Sequence, residues 1–465
     1  MDPRRPLLPL LVLVSWGGLV LACSSSNDTR PTPAPFDASM DAFSELDAPQ
    51  DDAPSTPADT GVGEDAPAEA AAIADAGGDA GTGTTTVTDA GDAAAPGDAG
   101  DAAAPTDAAD ASAPTGGPFV YFADNGGGRL FAFTLSLATG ALASIDTDPN
   151  TVGLQASIAT EFRAMGVAAI PNGKYVYTAE LNGNVGQYAI DPATGVPSLV
   201  NRAVSDAGLR DFNVSGASFE SIGIDAKGRE LYVPDANNAT LYALPLDPTT
   251  GEVGTGHTIA VQSTPRGVGV DPAGHFLFLA GNAAPVVSRV PLDGTGFPIG
   301  ADAGGGPLSV SFNASGNCLQ SELSPSGNSY TVCSQDQRIY GVGYDAGAAA
   351  ISTLGFAHAG GSPLAVTVHP NGHFAYAASF SESSIYTFSL DASGAPAAVG
   401  SPLTINYQCR TLKFDPTGTH MIAGCDGRMV WLDVDGTTGA LTAKGNIAGV
   451  FDSTYSMAIV TPPLH

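Results

Sequence analysis

The stretch that decides the fold runs from Gly166 to Glu180 and reads Gly-Val-Ala-Ala-Ile-Pro-Asn-Gly-Lys-Tyr-Val-Tyr-Thr-Ala-Glu. An apolar run in which small and large residues alternate leads into Pro171-Asn-Gly-Lys174, and a second apolar run follows. Asn and Gly favour tight hairpin turns because they adopt left-handed backbone conformations readily. The stretch therefore predicts two antiparallel strands joined by a short turn.

Two kinds of turn recur along the chain at a regular spacing. The hairpin turn returns at Asp225-Ala-Lys-Gly-Arg229, Asp271-Pro-Ala-Gly-His275, Asn313-Ala-Ser-Gly-Asn317, His369-Pro-Asn-Gly-His373 and Asp415-Pro-Thr-Gly-Thr419. A second marker, where a third strand turns into a fourth, occurs at Ala138-Thr-Gly140, Asp191–Gly195, Asp247–Gly251, Asp293–Gly296, Asp345–Gly347, Asp391–Gly394 and Asp435–Gly439. Repetition at this period is typical of propellers and solenoids.

Seven markers of the second kind against six of the first indicate that one unit is split between the two ends of the domain. Phe119-Val-Tyr-Phe-Ala123 matches the second strand of other units, and Ser456-Met-Ala-Ile-Val460 matches their first strand. Pairing of these two segments would close a ring and leave no open sheet edge. Residues 117–465 supply about 50 residues for each of seven units, which suits a four-stranded blade. The sequence predicts an all-β, seven-bladed β-propeller; a two-domain β-sandwich is the alternative, but it does not explain the split unit.

The first strands alternate large and small residues, as crowding towards a central axis requires. The large set is Val167, Ile222, Ile224, Val268, Val270, Val310, Phe312, Val366, Val368, Leu412 and Phe414. The small set includes Gly166, Ala168, Gly267, Gly269, Ser309, Ser311, Ala365 and Thr367. Lys413, Met457 and Ile459 do not fit the small set.

The N-terminus predicts export and lipid attachment. Arg4 and Arg5 precede an apolar stretch that is short for a membrane span, so residues 1–22 have the form of a signal peptide. Val20-Leu-Ala-Cys23 resembles the bacterial lipobox, which implies cleavage before Cys23 and acyl chains, such as palmitate, that anchor the protein to a membrane. Ser24 resembles the outer-membrane sorting pattern, so we expect an outer-membrane lipoprotein facing the periplasm or the exterior. An ordinary secretory peptide or an anchor helix is the alternative.

Residues 23–116 predict a disordered, acidic tether of Ala, Asp, Pro, Gly, Thr and Ser. From Ser24 to Gly116 there are 19 acidic residues and one basic residue, Arg30, within a chain of net charge −30. Such a segment buries too little apolar surface to offset its ordering entropy. Its aspartates lack the spacing of a calcium loop. Because no basic face exists to release counterions, binding to nucleic acid is excluded.

Four cysteines remain beside Cys23, namely Cys318, Cys333, Cys409 and Cys425. Export favours disulfides, and four cysteines allow three pairings. Cys409 and Cys425 are equally distant from Thr417 in a hairpin turn, so the two strands would place them opposite each other. Cys318 and Cys333 bracket a Ser/Gly/Asn-rich stretch that we expect them to clip. Zinc is the rival, but no Cys-x-x-Cys spacing is present, and His369 and His373 flank a turn.

The repeat resembles the lactonase-type seven-bladed propellers over its whole length, in phrases such as Lys174-Tyr-Val-Tyr-Thr-Ala-Glu180 and Thr264-Pro-Arg-Gly-Val268. That group includes a bacterial 6-phosphogluconolactonase, fungal muconate-lactonising enzymes and surface-layer proteins named for a Tyr-Val-Thr-Asn repeat. The resemblance implies a site of Arg, His and Glu at the mouth of the central channel. Pro265 and Arg266 match a common Pro-Arg-His form of the motif, but Gly267 stands in the place of the histidine.

Charged residues at the start of the first strands are Glu220, Arg266 and Arg410, with Ser456 in the split blade. Nearby loops of the same end add Asp124, Arg129, Glu180, Asp235, Asp426 and Arg428. Two arginines near one glutamate could hold an anionic ligand, or the same residues could form structural ion pairs that plug the channel. We expect a ligand- or protein-binding scaffold that lacks the catalytic histidine, with a lactone hydrolase as the alternative, and no cofactor.

Overall fold

A computed structural model describes residues 117–148, 155–160, 162–201, 214, 216–247, 249–261, 264–281, 286–300, 307–312, 317–449 and 451–461. The signal peptide at 1–22, the acylated Cys23 and the tether at 23–116 lie outside the described residues and stay predictions. Within the described part of the chain, no helix is long and apolar enough to cross a membrane.

The described strands form seven antiparallel sheets, which we number as blades 1 to 7 along the chain. Blade 1 contains β1 (Phe119–Asp124), β2 (Arg129–Leu135), β3 (Leu142–Ser144), β4 (Ser157–Ala159) and the last strand, β30 (Thr454–Val460). Blade 2 contains β5 (Ala164–Ala169), β6 (Tyr175–Glu180), β7 (Val185–Ile190) and β8 (Pro197–Asn201). Blade 3 contains β9 (Gly223–Ile224), β10 (Glu230–Asp235), β11 (Thr240–Pro245) and β12 (His257–Ala260).

The remaining blades follow the same order from the inner strand outwards. Blade 4 contains β13 (Pro265–Val270), β14 (Phe276–Gly281), β15 (Val286–Pro291) and β16 (Leu308–Ser311). Blade 5 contains β17 (Cys318–Leu323), β18 (Ser329–Cys333), β19 (Arg338–Asp345) and β20 (Ala350–His358). Blade 6 contains β21 (Pro363–Val368), β22 (Phe374–Ser379), β23 (Ser384–Leu390), β24 (Pro396–Ala398) and β25 (Leu403–Thr404). Blade 7 contains β26 (Cys409–Phe414), β27 (His420–Cys425), β28 (Arg428–Val434) and β29 (Leu441–Ala448).

The split unit closes the ring as the sequence predicts. β30 pairs antiparallel with β1, with Val460 opposite Phe119 and Met457 opposite Phe122. The inner strands of successive blades contact one another in order, and β26 contacts β30, which contacts β5. The seven-bladed propeller is thus confirmed, and the two-domain sandwich is wrong.

The core consists of seven apolar clusters, one between each pair of neighbouring blades. Successive residues of a strand point to opposite faces of its sheet, so each blade contributes apolar side chains to both neighbours. Tyr121 faces blade 2, while Val120 and Phe122 face blade 7. At the closing interface, the ring of Phe122 stacks on Phe131 with centroids 5.0 Å apart, and Phe451 packs edge-on against both. Every blade therefore needs a neighbour on each face.

A tyrosine latch, defined as a hydrogen bond from a second-strand tyrosine to a glycine of the next blade, recurs around the ring. The donors and acceptors are Tyr121 and Gly195, Tyr177 and Gly251, Tyr232 and Gly296, Tyr330 and Gly394, and Tyr376 and Gly439, at 2.5 to 3.1 Å. Burial raises the pKa of Tyr177 far above its usual range, so its hydroxyl stays protonated and donates. The neighbouring Tyr175 explains the glycine of this marker, because a side chain at Gly251 would overlap the ring of Tyr175.

Crowding near the central axis explains the small residues of the inner strands, as predicted. A methyl group on Gly267 would lie 2.5 Å from the carbonyl oxygen of Leu319 in the next blade, and one on Gly223 would lie 2.6 Å from Val270. Adjacent inner strands therefore approach too closely for larger side chains.

The assignment of blade 5 from the sequence is wrong. Val310 lies on β16, the outer strand of blade 4, and residues 313–316 lie outside the described residues. The inner strand is β17, and its hairpin turn is Ser324-Pro-Ser-Gly-Asn328. The hairpin turn predicted at 313–317 is misplaced because both stretches carry the same Ser/Asn/Gly chemistry.

The register of the last strand also differs from the prediction by one residue. Met457 faces Phe122 just as Val268 faces Leu279 in blade 4, so Met457 and Ile459 belong to the large set. Tyr455, and not Ser456, therefore corresponds to Arg266. A one-residue shift exchanges the two faces of a strand, which is why both residues fitted poorly.

Removal of residues 454–465 should abolish cooperative unfolding, because it strips β30 from β1 and opens two interfaces. Thermal unfolding followed by near-UV circular dichroism measures this effect. A control chain that lacks only residues 462–465 keeps the whole of β30 and should melt like the intact protein. Equal melting of the longer truncation would contradict ring closure.

Replacement of Tyr177 by Phe should lower the free energy of unfolding by about 1–2 kcal/mol, because the carbonyl of Gly251 loses its buried donor. Urea unfolding measures the change. Tyr344→Phe is the control, since that side chain is 36% exposed. An equal loss in both variants would show that the latch adds nothing.

Candidate functional site

A β-bulge marks the same end of the inner strand in blade after blade. The pairing with the second strand shifts by one residue in blades 1, 2 and 4 to 7, which leaves one residue unpaired. In order around the ring these residues are Tyr455, Met165, Arg266, Leu319, Leu364 and Arg410, and Glu220 has the equivalent place in blade 3. Bulges redirect side chains and are frequent beside functional sites. We call these seven positions the mouth ring.

Glu220 and Arg266 are brought together on the mouth ring. Nε of Arg266 donates to Oε2 of Glu220, between blades 3 and 4. The Glu220 side chain is 5% exposed and that of Arg266 is 18% exposed. A nearly buried, hydrogen-bonded ion pair holds both groups in a fixed geometry.

Arg410 forms a separate cluster three blades beyond Arg266. Its Nε and Nη2 donate to the two carboxylate oxygens of Asp426, at 2.9 and 3.1 Å, and Nη1 donates to the Tyr455 hydroxyl at 2.7 Å. The guanidinium also lies 4.3 Å from the ring centroid of Phe380. Two arginines beside one glutamate were expected, but the described contacts show two arginines that each have their own carboxylate.

Both predicted disulfide pairs are present, Cys318–Cys333 and Cys409–Cys425. Each joins the start of an inner strand to the end of the second strand, at the bulge. The expectation that Cys318 and Cys333 clip an extra loop is wrong, because the residues between them are the inner hairpin itself. The second disulfide directly precedes Arg410 and Asp426 in both strands, so it fixes the backbone that carries this ion pair.

The loop carboxylates at the mouth support backbone structure. Asp124 accepts hydrogen bonds from Arg129 at 2.8 Å and from the backbone nitrogens of Asp452 and Ser453, at 3.1 and 3.3 Å. These hydrogen bonds hold the backbone that leads into β30 against the end of β1.

Of three further loop residues, two are carboxylates that also accept from backbone nitrogens, and the third is an arginine that contacts a side chain. Glu180 accepts from the backbone nitrogen of Phe162 at 3.0 Å. Asp235 accepts from the backbone of Ser218 at 3.2 Å. Arg428 donates to Asn446 at 2.6 Å.

Below the mouth ring, long polar side chains cross the channel. Gln320 donates to the carbonyl of Tyr455 at 3.3 Å and accepts from the backbone nitrogen of Val366 at 3.2 Å. Lys413 Nζ lies 3.2 Å from Oε2 of Glu322, so the lysine that does not fit the small set has a partner in blade 5. Gln320 and Glu322 were not predicted as channel residues, because the inner strand of blade 5 was expected too early in the chain.

Glu230, at the start of β10, is a buried carboxylate that the sequence analysis also missed. Its Oε2 has no hydrogen-bond partner among the described residues. Burial, together with the nearby charge of Asp225, raises the pKa of Glu230 to about 7. It lies at the hairpin end of blade 3, away from the mouth ring. No group of three or more His, Cys, Asp or Glu side chains in the described part of the chain is arranged to hold a metal ion.

Glu230→Gln should stabilise the protein near pH 8 and leave it unchanged near pH 4.5. The folded chain binds the proton more tightly than the unfolded chain, so stability declines as pH rises from about 4.5 to about 7. Gln removes this loss, which amounts to roughly 3 kcal/mol. Urea unfolding at both pH values measures the difference. A stabilisation that is the same at both would contradict the assignment.

Three solved structures with this fold are each less than 20% identical to the chain. A putative 6-phosphogluconolactonase from Bacteroides uniformis is 17% identical, with a TM-score of 0.60 over 74% of this chain and 99% of that one. A second, from Bacteroides fragilis, is 15% identical, with a TM-score of 0.59 over 76% and 100%. The periplasmic gluconolactonase of Pseudomonas aeruginosa is 15% identical, with a TM-score of 0.57 over 74% and 99%. At such identities the likeness shows the fold alone.

No curated protein sequence matches the chain at a significant level. A family model does match: the one described as lactonase, 7-bladed beta-propeller, covers residues 114–296 and 328–452. That is more than half of the 465 residues. The chain therefore belongs to the lactonase family of seven-bladed β-propellers.

Proposed function

We propose that the protein is a lipid-anchored, extracytoplasmic propeller whose channel mouth binds a ligand, a small anion or a protein segment, and does not hydrolyse lactones. The first 24 residues support this location, because an export signal, the Val20–Cys23 motif and Ser24 favour attachment to the outer membrane. The acidic tether at 23–116 would hold the propeller away from the lipid surface. The protein would face the periplasm or the exterior.

The observation that carries the non-catalytic role is the packing around Gly267. The family resemblance implies a histidine at this position. A methyl group there would already lie 2.5 Å from the carbonyl oxygen of Leu319, so a histidine would require the inner strand of blade 5 to move. The packing of the ring therefore supports a role that does not use a histidine at position 267.

The charges of the mouth support the same conclusion. Hydrolysis needs a positioned base that activates water and a cation that stabilises the developing oxyanion. Glu220 is the one carboxylate of the mouth ring, and it accepts from Arg266. Arg410 is enclosed by Asp426, Tyr455 and Phe380. These groups form a rigid, charged rim that suits recognition.

A lactone hydrolase is the second candidate, favoured by the structural likeness to a protein described as a periplasmic gluconolactonase. In that case Arg266 and Arg410 would polarise the ring carbonyl, and Glu220 would orient the attacking water.

The two functions separate in an assay with D-glucono-1,5-lactone and its 6-phosphate. Acid release by the purified protein at constant pH should not exceed the spontaneous rate, because Gly267 takes the place of the histidine that the family resemblance implies. Turnover that Arg266→Gln abolishes would establish the hydrolase. Arg229→Gln is the matched control, since Arg229 forms an ion pair with Asp225 at the opposite, hairpin end of blade 3.

A further inference from the structure

The channel holds two cavities below the mouth ring, of about 290 and 90 Å³. Glu322 and Lys413 line both cavities, so this ion pair lies where the two meet. The larger one, which we call the lower chamber, extends to Pro272 in the hairpin turn of blade 4. It therefore occupies the end of the channel remote from Arg266 and Arg410.

One side of the lower chamber is apolar. Partly exposed apolar side chains from the inner strands of blades 1, 3 and 4 supply this wall, namely Ile224, Val268, Val270 and Ile459. Pockets for small molecules combine such walls with a few precisely placed polar groups. Because drug-sized ligands occupy pockets of about 300 Å³ or more, a chamber of this size suits a smaller molecule.

The opposite side of the lower chamber carries one positive and one negative charge. Nζ of Lys413 lies 3.3 and 3.2 Å from the two carboxylate oxygens of Glu322. Their side chains are 38% and 33% exposed, so both charges keep accessible surface in the channel. The equivalent residues of other blades are small, for example Gly223 and Gly269. A lysine and a glutamate at these positions are thus specific to blades 5 and 7.

We propose that the lower chamber binds an α-amino acid with an aliphatic side chain. The carboxylate of the amino acid accepts from Lys413, its ammonium donates to Glu322, and its side chain packs on the apolar wall. The ammonium and carboxylate of an amino acid are neighbours, as are Lys413 and Glu322, so the four charges alternate in sign.

Charge balance selects the zwitterion over simpler ligands. An acid that lacks the ammonium would bring a second negative charge close to Glu322, and an amine that lacks the carboxylate would bring a second positive charge close to Lys413. Like charges at short range in a partly desolvated site are unfavourable. The apolar wall, in turn, selects an aliphatic side chain over a polar one.

Isothermal titration of the purified protein with L-leucine tests the proposal, with 4-methylpentanoate and 3-methylbutylamine as probes that each lack one charged group. Leucine should bind saturably, and each probe should bind at least about tenfold more weakly. This comparison needs no variant. Absence of saturable leucine binding, or equal binding of either probe, would overturn the proposal.

Variants locate the site. Lys413→Met and Glu322→Gln preserve side-chain size, and each should weaken leucine binding at least about tenfold. Lys444→Met is the matched control in blade 7, since Lys444 pairs with Asp433 outside the chamber, and it should bind leucine normally. Full binding by Lys413→Met would overturn the assignment. Because the lactone assay probes the mouth ring, the two proposals succeed or fail separately.

Discussion

The antiparallel pairing of β30 with β1 is the contact on which the other blades depend. Each blade is apolar on both faces, so a row of blades that did not close would expose two sheet faces to water. Closure buries these faces against each other, with Phe122, Phe131 and Phe451 at the centre of the final interface. The contact joins residues more than 300 positions apart. Its large loop-closure entropy is repaid only when all seven interfaces form together.

The tyrosine latch is missing at two interfaces, because blade 4 has Phe278 and blade 7 has Ile422 at the position of the tyrosine. At the closing interface His420, two residues before Ile422 on the same strand, contacts blade 1 instead. Its Nε2 lies 3.2 Å from the carbonyl oxygen of Leu137. The other ring nitrogen of His420 lies 3.0 Å from Asp433. Asp124 adds hydrogen bonds to the backbone just before β30. The interface between the two ends of the chain is therefore stabilised by the phenylalanine cluster, by His420 and by Asp124.

Crowding at the axis explains why the polar groups lie where they do. One face of the inner strands tolerates only small residues at most positions, as the contacts around Gly223 and Gly267 show. Large side chains are admitted where a bulge turns them towards the mouth, as at Arg266 and Arg410, or where the channel itself has room, as at Glu322 and Lys413. Both arginines are held in ion pairs, and a disulfide supports the strand that carries Arg410. The second group remains partly exposed to the chamber.

Much of the fold was predictable because local chemistry repeats. Turn residues at Pro171–Lys174 and Asp191–Gly195 mark strand ends through backbone preferences that need no tertiary context. The mismatch in the number of turns was enough to indicate the split blade. The pairs Cys409–Cys425 and Cys318–Cys333 were predictable from spacing and export.

The tertiary structure decided the rest, because strand register and partner choice depend on packing between blades. Similar Ser/Asn/Gly stretches made 313–317 indistinguishable from 324–328 until β17 had a neighbour on each face. A shift of one residue in β30 exchanged Ser456 for Tyr455 on the mouth ring. The partners of Arg410 and Lys413 lie 16 and 91 residues away in sequence, and only the closed ring brings them within hydrogen-bonding distance. The sequence by itself determined that seven blades form and where six of them have their inner hairpin or split end. The ring determined which charges meet.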